Sequence, residues 1–535
     1  MRRLIPKSRV GSLVRFAVAG VLIIAFAATA TAVAGLLQVK QITKYLDATP
    51  ALQVSKAVTV PNPGSAQTIL LVGSDHRAGE PFRYSNTDTM MLVHIDPNSS
   101  TINLLSVPRD LKVQIPEGAA VATDKLNAAY SIGGDNLLVK ILEQQVFPGL
   151  KINHIVDVNF GGFEDLVNAI GCVYTDVDHR YYNNTAYTDY SSIDIQPGYQ
   201  KLCGTDALAF VRFRHTDSDI VRNARQQDFI RWAKSQFSQD QIIQEEGTLL
   251  KIFGQHAQTD HNLHTTDGLI NLFDLVAFSA GHTIKQIPFP AILLPCAPVT
   301  ATTNSAVQQT PCYVTADPGA EQNSFHAFMS ETHSAPPPAG GSSAGASSAG
   351  GKHSGGNGGG GGGGGGAPGL SADVSDGTAQ AKALGPIGIP IYYPKLIVSG
   401  AQYCSNTTSV CPLEGGAGSG FYPRAYLLHD RQGISHYSYR MTIAINPVLG
   451  EYYGVQGTTW QNPPILQSPT QTKTVNGKQL LLYSNGGKLS LVAWKTAHGV
   501  YWVSNTLTDG LQNSQLIGIA ASLTRAGAGP GAPAR

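Results

Sequence analysis

The stretch DTMMLVHIDPNSSTINLLSVPRDLKV (88–113) holds two short apolar runs closed by Asp or Pro, with Asp88, Arg109 and Asp110 at their ends. Runs of this length bounded by turn residues read as buried strands. QTILLVGSD (67–75) repeats the pattern upstream and ends on Asp75, with Arg77 two residues on. Downstream, DNLLVKILEQQVF (135–147) and GGFEDLVNAI (161–170) carry apolar residues at helical spacing, and INHIVDVNF (152–160) between them reads as another strand. The alternation predicts an α/β fold, a sheet covered by helices. In such sheets ligands gather beyond the strand ends, where loops carry the polar residues.

A chain of 535 residues, 42% of them hydrophobic, can bury more than one core, so two domains are expected. A formal net charge of +1 gives no general attraction to nucleic acid, and no nucleic-acid-binding module is evident. Arg2, Arg3, Lys7, Arg9 and Arg15 precede FAVAGVLIIAFAATATAVAGLL (16–37), an uncharged run of the length that crosses a bilayer as a helix. The positive charges should stay in the cytoplasm. The expected topology is a cytoplasmic segment 1–15, one membrane anchor 16–37 and an extracytoplasmic remainder. A cleaved signal peptide is the competing reading, since ATATAVAG offers small residues for processing.

Six cysteines fall as neighbours, Cys172 with Cys203, Cys296 with Cys312 and Cys404 with Cys411. Local disulfides suit an oxidising compartment, the alternative being buried thiols. None has the C-x-x-C spacing of a zinc site. From 335 to 369, including nine consecutive glycines at 358–366, almost nothing can enter a core, so this is a tether spanning roughly 30 Å on average. It separates a domain at 60–332 from a second module at 370–535. That module reads as antiparallel hairpins with NGG and HG turns and a final helix. Its Tyr452, Tyr453, Trp460, Trp494 and Trp502 suit either sugar stacking or a core.

Arginines concentrate in ALAFVRFRHTDSDIVRNARQQDFIRWAKSQF (207–237). ALAFVRFRH alternates, which predicts a strand with Phe210, Arg212 and Arg214 on one face and Ala209, Val211 and Phe213 on the other. The remainder reads as a helix with Asp219, Arg222, Arg225 and Gln226 on one face, continued by Ile230, Ala233 and Phe237 as the stripe that docks it. DKLNAAY (124–130) adds Lys125 and Asn127 just before a helix. Planar guanidinium forks suit phosphate, and four of them match a pyrophosphate. The alternative is a set of ion pairs with Asp217, Asp219 and Asp228. Asp75 and Asp88, brought together across adjacent strands, suit a hard divalent ion such as Mg or Mn, which needs only one or two protein carboxylates.

LLVGSDHR (70–77), NTDTMMLVHID (86–96), LLSVPRDLKV (104–113), DKLNAAY and ALAFVRFRHTDSDIVRNARQQ (207–227), in this order and spacing, resemble the LytR-CpsA-Psr family of bacterial envelope proteins over about residues 60–330. The resemblance implies one membrane helix, an external α/β domain, and a phosphotransferase that moves a glycopolymer from a polyprenyl-pyrophosphate carrier to a peptidoglycan hydroxyl. It places Mg on Asp75 and Asp88, and the pyrophosphate on Arg109, Arg212, Arg214, Arg222 and Gln226. Arg77, Lys125, Asn127, Asp219 and Arg225 complete the site. Ser218 stands where the family's commonest helix motif has Gly. Charge develops on the leaving phosphate in this chemistry, so arginines and metal stabilise the transition state. Arg109 is then a catalytic candidate, and Asp110 or Asp219 a proton acceptor. A hydrolase using water as acceptor and a non-catalytic envelope sensor are the other function classes.

The N-terminal charge bias makes a topological prediction. Protease added outside spheroplasts should cut the 335–369 tether; protection of that segment until lysis would reject the single-span orientation.

Overall fold

The structure, a computed structural model, describes residues 44, 51, 52, 54, 58–75, 85–118, 120–184, 192–214, 217–236, 255, 257–295, 311–330, 369–406, 411 and 421–527. The expected anchor at 16–37, Arg77, Cys296 and the tether up to residue 368 lie outside the described residues. Among the described residues no helix is long and apolar enough to cross a membrane.

The first half is a mixed α/β unit. Its six-stranded sheet is built from β1 (Gln67–Ser74), β2 (Thr87–Ile95), β3 (Thr101–Ser106), β4 (His154–Asn159), β5 (Ala257–Thr259) and β6 (Thr283–Ile287), in the spatial order β5-β4-β1-β2-β3-β6. β1 runs antiparallel to β2 and parallel to β4, and β3 runs parallel to β6. Both faces are covered, which is why these strands read as continuous apolar runs and not as alternating ones. Leu70, Val72, Met90, Leu92 and Leu105 share a core with α1 (Leu126–Ile141) and with Phe325 and Phe328 of a helix at Pro318–Met329. On the opposite face Ile69, Ile95 and Val156 pack with Leu275 of the helix Thr266–Phe278.

Three further helices carry the charged stretch and its support: α2 (Phe160–Ala169), α3 (Gly204–Arg212) and α4 (Asp219–Ser235). The disulfide Cys172–Cys203 joins the chain after α2 to the residue before α3. A second disulfide joins Cys404 to Cys411, and the third expected pairing includes Cys296, outside the described residues.

The expected strand over ALAFVRFRH is not formed; Gly204–Arg212 is the helix α3. Ala207, Phe210 and Val211 lie at i, i+3 and i+4, and this helical spacing overrode the local alternation. All three are buried in a core with Val167 of α2 and with Phe229 and Trp232 of α4. The docking stripe of α4 shifts accordingly. Phe229 and Trp232 are buried, Ile230 and Ala233 only half-buried, and Phe237 is outside the described residues.

Among the described residues of 369–527, eight strands form an antiparallel sheet. Its strands are β7 (Gln402–Tyr403), β8 (Arg424–His429), β9 (Ser435–Asn446), β10 (Glu451–Thr458), β11 (Gln471–Val475), β12 (Lys478–Asn485), β13 (Lys488–Thr496) and β14 (Gly499–Ser504). They lie in the order β7-β9-β10-β14-β13-β12-β11, with β8 also pairing β9. Period-two alternation gives this sheet two different faces. Tyr439, Met441, Tyr453, Val455, Val492, Tyr501 and Val503 pack on Ala381 of α5 (Val374–Leu384) and on Leu516 and Ile519 of α6 (Asn513–Ala521). Leu491, Ala493, Val500 and Trp502 instead share a core with Tyr174 and Tyr199 of the first half. Tyr452, Tyr453, Trp494 and Trp502 are buried and so belong to cores. Trp460 is half-buried, stacked on His436 with an edge contact to Tyr174.

The two halves are therefore joined by packing as well as by chain. Arg440 Nη1 donates to Asp176 Oδ1 at 3.0 Å, the two side chains being 1% and 3% exposed. Trp502 Nε1 donates to the other oxygen at 3.4 Å. Removing one partner of such a pair strands a buried charge, at a cost of about 3–5 kcal/mol. Arg440→Ala should lower the melting temperature by several degrees, and an unchanged thermal melt would show that the two halves are not held together there.

Candidate functional site

The polar residues at the strand ends meet because of an irregularity in the β1–β2 ladder. Gly73 faces Thr89 and Ser74 faces Thr87, so Asp88 is the extra residue of a bulge. A bulge re-aims the side chain it carries. Asp75 lies just past it, its Oδ1 accepting from Asn86 N at 2.5 Å. The turn after β3 is pinned on both sides. Arg109 N donates to Asp219 Oδ2 at 3.0 Å, and Asn127 N donates to Arg109 O at 3.0 Å.

Four elements deliver cations to this spot. Arg109 Nη1 donates to Asp88 Oδ1, and Arg212 Nε, at the end of α3, donates to Asp88 Oδ2 at 3.2 Å. The Arg212 guanidinium also lies 3.8 Å above the Phe160 ring. Phe213 leaves the helical conformation, so Arg214 reaches a different carboxylate, bonding Asp110 Oδ2, while Lys125 Nζ sits 3.1 Å from Asp110 Oδ1. Ser218 caps α4, accepting from Val221 N at 3.4 Å, and Asp219 occupies its first turn, where a carboxylate favours the helix dipole. Asp219 Oδ1 accepts from Arg222 Nη2. Gln226 Nε2 donates to Thr89 Oγ1 at 2.7 Å and to Val211 O at 3.1 Å, which ties α4 to the bulge.

Arg225 does not join the cluster. At about 100° per residue it lies about 120° round α4 from Asp219. Its Nη1 donates to the carbonyls of Phe210 (2.9 Å) and Phe213 (2.8 Å), its Nη2 pairs with Asp217, and Tyr181 lies beneath it. With no exposure it is a strut that fastens the end of α3 to α4. By contrast Arg109, Arg212 and Arg214 keep 22%, 34% and 26% of their side chains exposed and face solvent. Arg222 is buried behind them.

Burial opposes ionisation of Asp88, yet Arg222, Arg109 and Arg212 outweigh it and hold its carboxyl below the ordinary value of 3.8. Burial also pulls the Arg222 guanidinium below its usual value, with Asp219 acting against that. Asp110 and Asp219 each have both oxygens engaged, by Arg214 and Lys125 and by Arg222 and Arg109 N respectively. Five cations (Arg109, Lys125, Arg212, Arg214, Arg222) stand against four carboxylates (Asp75, Asp88, Asp110, Asp219), an excess of one positive charge. Asp217 forms an ion pair with Arg225, as the alternative reading expected, whereas Thr89 and Phe160 take part without having been singled out in the sequence. Only Thr89, adjacent to Asp88, carried a signal there.

Asp75 and Asp88 carry hard oxygens of the kind a divalent cation takes, with both Asp88 oxygens also accepting from Arg109 and Arg212. The second oxygen of Asp75 accepts no bond among the described residues, where no group of three metal-ligating side chains occurs either, so a cation would rest on this pair.

The LytR_cpsA_psr family matches residues 32–314, more than half of the 535. The chain belongs to that family. Among LytR-CpsA-Psr relatives, a polyisoprenyl-teichoic acid–peptidoglycan teichoic acid transferase, TagU of Oceanobacillus iheyensis, is 33% identical over 38% of this chain and 62% of its own length. LcpB of Corynebacterium glutamicum, described as a probable cell wall biosynthesis protein, is 34% identical over 34% of this chain and 43% of its own. The chain thus spans roughly half the length of these relatives. The crystal structure of Bacillus subtilis TagV is similar over 50% of this chain and 97% of that one, at 22% identity and a TM-score of 0.38.

The position of Arg225 separates its effect from that of its neighbours. Arg225→Met leaves Asp217 buried and unpaired, so about 3–5 kcal/mol of stability should be lost. Arg212→Met, at a solvent-facing site, should shift the denaturation midpoint little. Equal midpoints for the two variants would contradict the strut.

Proposed function

We propose that this chain is a phosphotransferase that moves a glycopolymer from a polyprenyl-pyrophosphate carrier to a peptidoglycan hydroxyl, working outside the membrane from a single-pass anchor. The observation that carries it is the set of three solvent-facing guanidiniums at the strand ends, Arg109 and Arg212 on the ionised Asp88 and Arg214 on Asp110. The relatives support the substrate class, since TagU is a polyisoprenyl-teichoic acid–peptidoglycan teichoic acid transferase.

In this reaction the bond between the two phosphates of the carrier breaks, the acceptor oxygen bonds the glycan phosphate as its hydroxyl proton is lost, and the polyprenyl phosphate leaves with the bridging electrons and can take up that proton. Guanidinium forks directed at the leaving oxygens act where charge accumulates, at fixed geometry and without reorganising. Arg222 adds its charge from behind. Asp110 and Asp219 hold Arg214, Lys125, Arg222 and the Arg109 backbone in place, so their role here is positioning. Asp75 and Asp88 would hold Mg or Mn, which supplies two further positive charges toward the phosphate oxygens. Lys125 and Asn127 flank the same turn, and Gln226 keeps the bulge and α4 in register. An anchor at 16–37 would keep the protein beside a lipid-linked substrate that stays in the bilayer.

The test is transfer of a labelled lipid-linked polymer to isolated peptidoglycan. Arg212→Ala or Arg214→Ala should lower turnover on the order of 10²- to 10³-fold. Arg212→Lys should also lose much of it, because charge remains but the planar fork does not. EDTA should abolish transfer and Mn restore it. Wild-type rates in the Ala variants would reject the clamp, full activity in EDTA would reject the metal, and polymer release independent of peptidoglycan would identify a hydrolase.

A further inference from the structure

Helix α4 carries Asp219, Arg222 and Gln226 on the side that meets the site, yet few apolar side chains fix it in place. Val221, Phe229 and Trp232 are its large buried apolar residues, and much of the rest is charged or amide-bearing. Apolar packing is non-directional, so the rotation and axial position of such a helix depend on its hydrogen bonds. Two of those that do not go to the site reach residues 369–527, from Arg231 to Ser490 and from Arg431 to the Gln236 carbonyl just past the helix.

The contacts run the length of the helix. Near its start the turn at Gly450 lies against it, so that a Cβ there would come within 3.1 Å of Val221 Cγ2 and 3.6 Å of Asp217 Oδ1. In the second half Arg231 Nη1 donates to Ser490 Oγ at 3.2 Å, while its Nη2 holds Asp228 Oδ1 at 2.5 Å. That Asp228 oxygen also accepts from Gln286 Nε2 at 3.0 Å. Gln286 is in turn bracketed by Asn485, whose Oδ1 accepts from its backbone N at 3.0 Å and whose Nδ2 donates to its side-chain oxygen. Beyond the last turn Gln236 O accepts from Arg431 Nη2 at 2.6 Å. The Gln236 side chain brackets the backbone of Tyr174, whose hydroxyl donates to His429 O at 2.8 Å. Start, middle and end of α4 are thus each referred to the C-terminal sheet, itself anchored on the first half by Arg440 and Asp176.

We propose that the C-terminal module is a brace for α4, and that Gly450, Asn485 and Ser490 are positioning residues that set where Arg222 and Gln226 meet the Asp88 bulge. None of the three touches that cluster. The influence of Asn485 and Ser490 passes through Gln286, Asp228 and Arg231, that of Gly450 through Val221, and a misplacement of about 1 Å at reacting groups is enough to cost on the order of 100-fold in rate. The kinetic consequence rests on the transferase reading; the mechanical one does not.

The experiment uses the full chain and two readouts. In hydrogen–deuterium exchange, the double variant Asn485→Ala with Ser490→Ala should raise exchange of the amides at 219–235 on the order of tenfold, while those of 67–74, 87–95 and 439–445 keep their protection. In transfer of the lipid-linked polymer, the same variant should lose about tenfold in kcat with KM within about twofold, and Ser490→Thr, which keeps the hydroxyl, should behave as wild type. Gly450→Val, which thrusts a side chain at Val221, is the second variant and should reproduce the local rise in exchange. Unchanged exchange over 219–235 in both variants overturns the brace. So does a uniform rise across the chain, which reports lost stability alone. A wild-type protein that transfers nothing would sink the transferase reading and leave the exchange result to decide the brace.

Discussion

A guanidinium removed from water must find a carboxylate or carbonyl, because an unpaired buried charge costs about 3–5 kcal/mol, a large share of a domain's margin of stability. That constraint arranges the centre of this protein. Arg222 goes to Asp219, Arg225 to Asp217 and to two carbonyls, Arg440 to Asp176, and the half-exposed Arg109, Arg212 and Arg214 to Asp88 and Asp110. Each pairing joins separate elements or fixes a helix end, so the charges that form the site also fasten its walls.

Two kinds of arginine result, and burial separates them. Arg225 and Arg440 are 0% and 1% exposed, the first bonding Asp217 and two carbonyls and the second Asp176. Arg109, Arg212 and Arg214 keep about a quarter of their side chains in solvent while resting on carboxylates that hold them in position. Such a site is pre-organised, since the cations need not be gathered when an anion arrives. Its small positive excess favours an anionic ligand, as the proposed reaction would supply.

The C-terminal sheet extends this logic. One face packs on its own helices; the other presents Arg440, Gln456 and Trp502 to the first half, where Gln456 Oε1 accepts from Tyr199 N at 3.2 Å. A sheet covered on both faces by different partners has no free apolar surface on which to slide. Its hairpins near 450, 485 and 490 can therefore act as fixed points for α4 in spite of the glycine-rich segment that links the two halves in sequence.

The sequence alone determined the α/β sheet, because apolar runs of strand length closed by Asp, Gly and Pro leave little freedom when both faces are to be covered. It also determined the family, through five short motifs in fixed order, and most of the cationic cluster, because Arg109, Arg212, Arg214 and Arg222 sit at element ends. Only the tertiary structure decided the rest. The segment before Arg212 is a helix and not a strand, since Phe210 and Val211 satisfy either period locally and only the α2 and α4 core chooses between them. Arg225 turned from ligand to strut because a turn of about 100° per residue carries it off the site-facing side, a difference that spacing along one helix does not expose until its neighbours are in place. Tyr452, Tyr453, Trp494 and Trp502 of the C-terminal half became core, and its docking along α4 appeared, for the same reason. Which face of a strand meets which partner is fixed by contacts between residues more than 200 positions apart, and no local pattern records them.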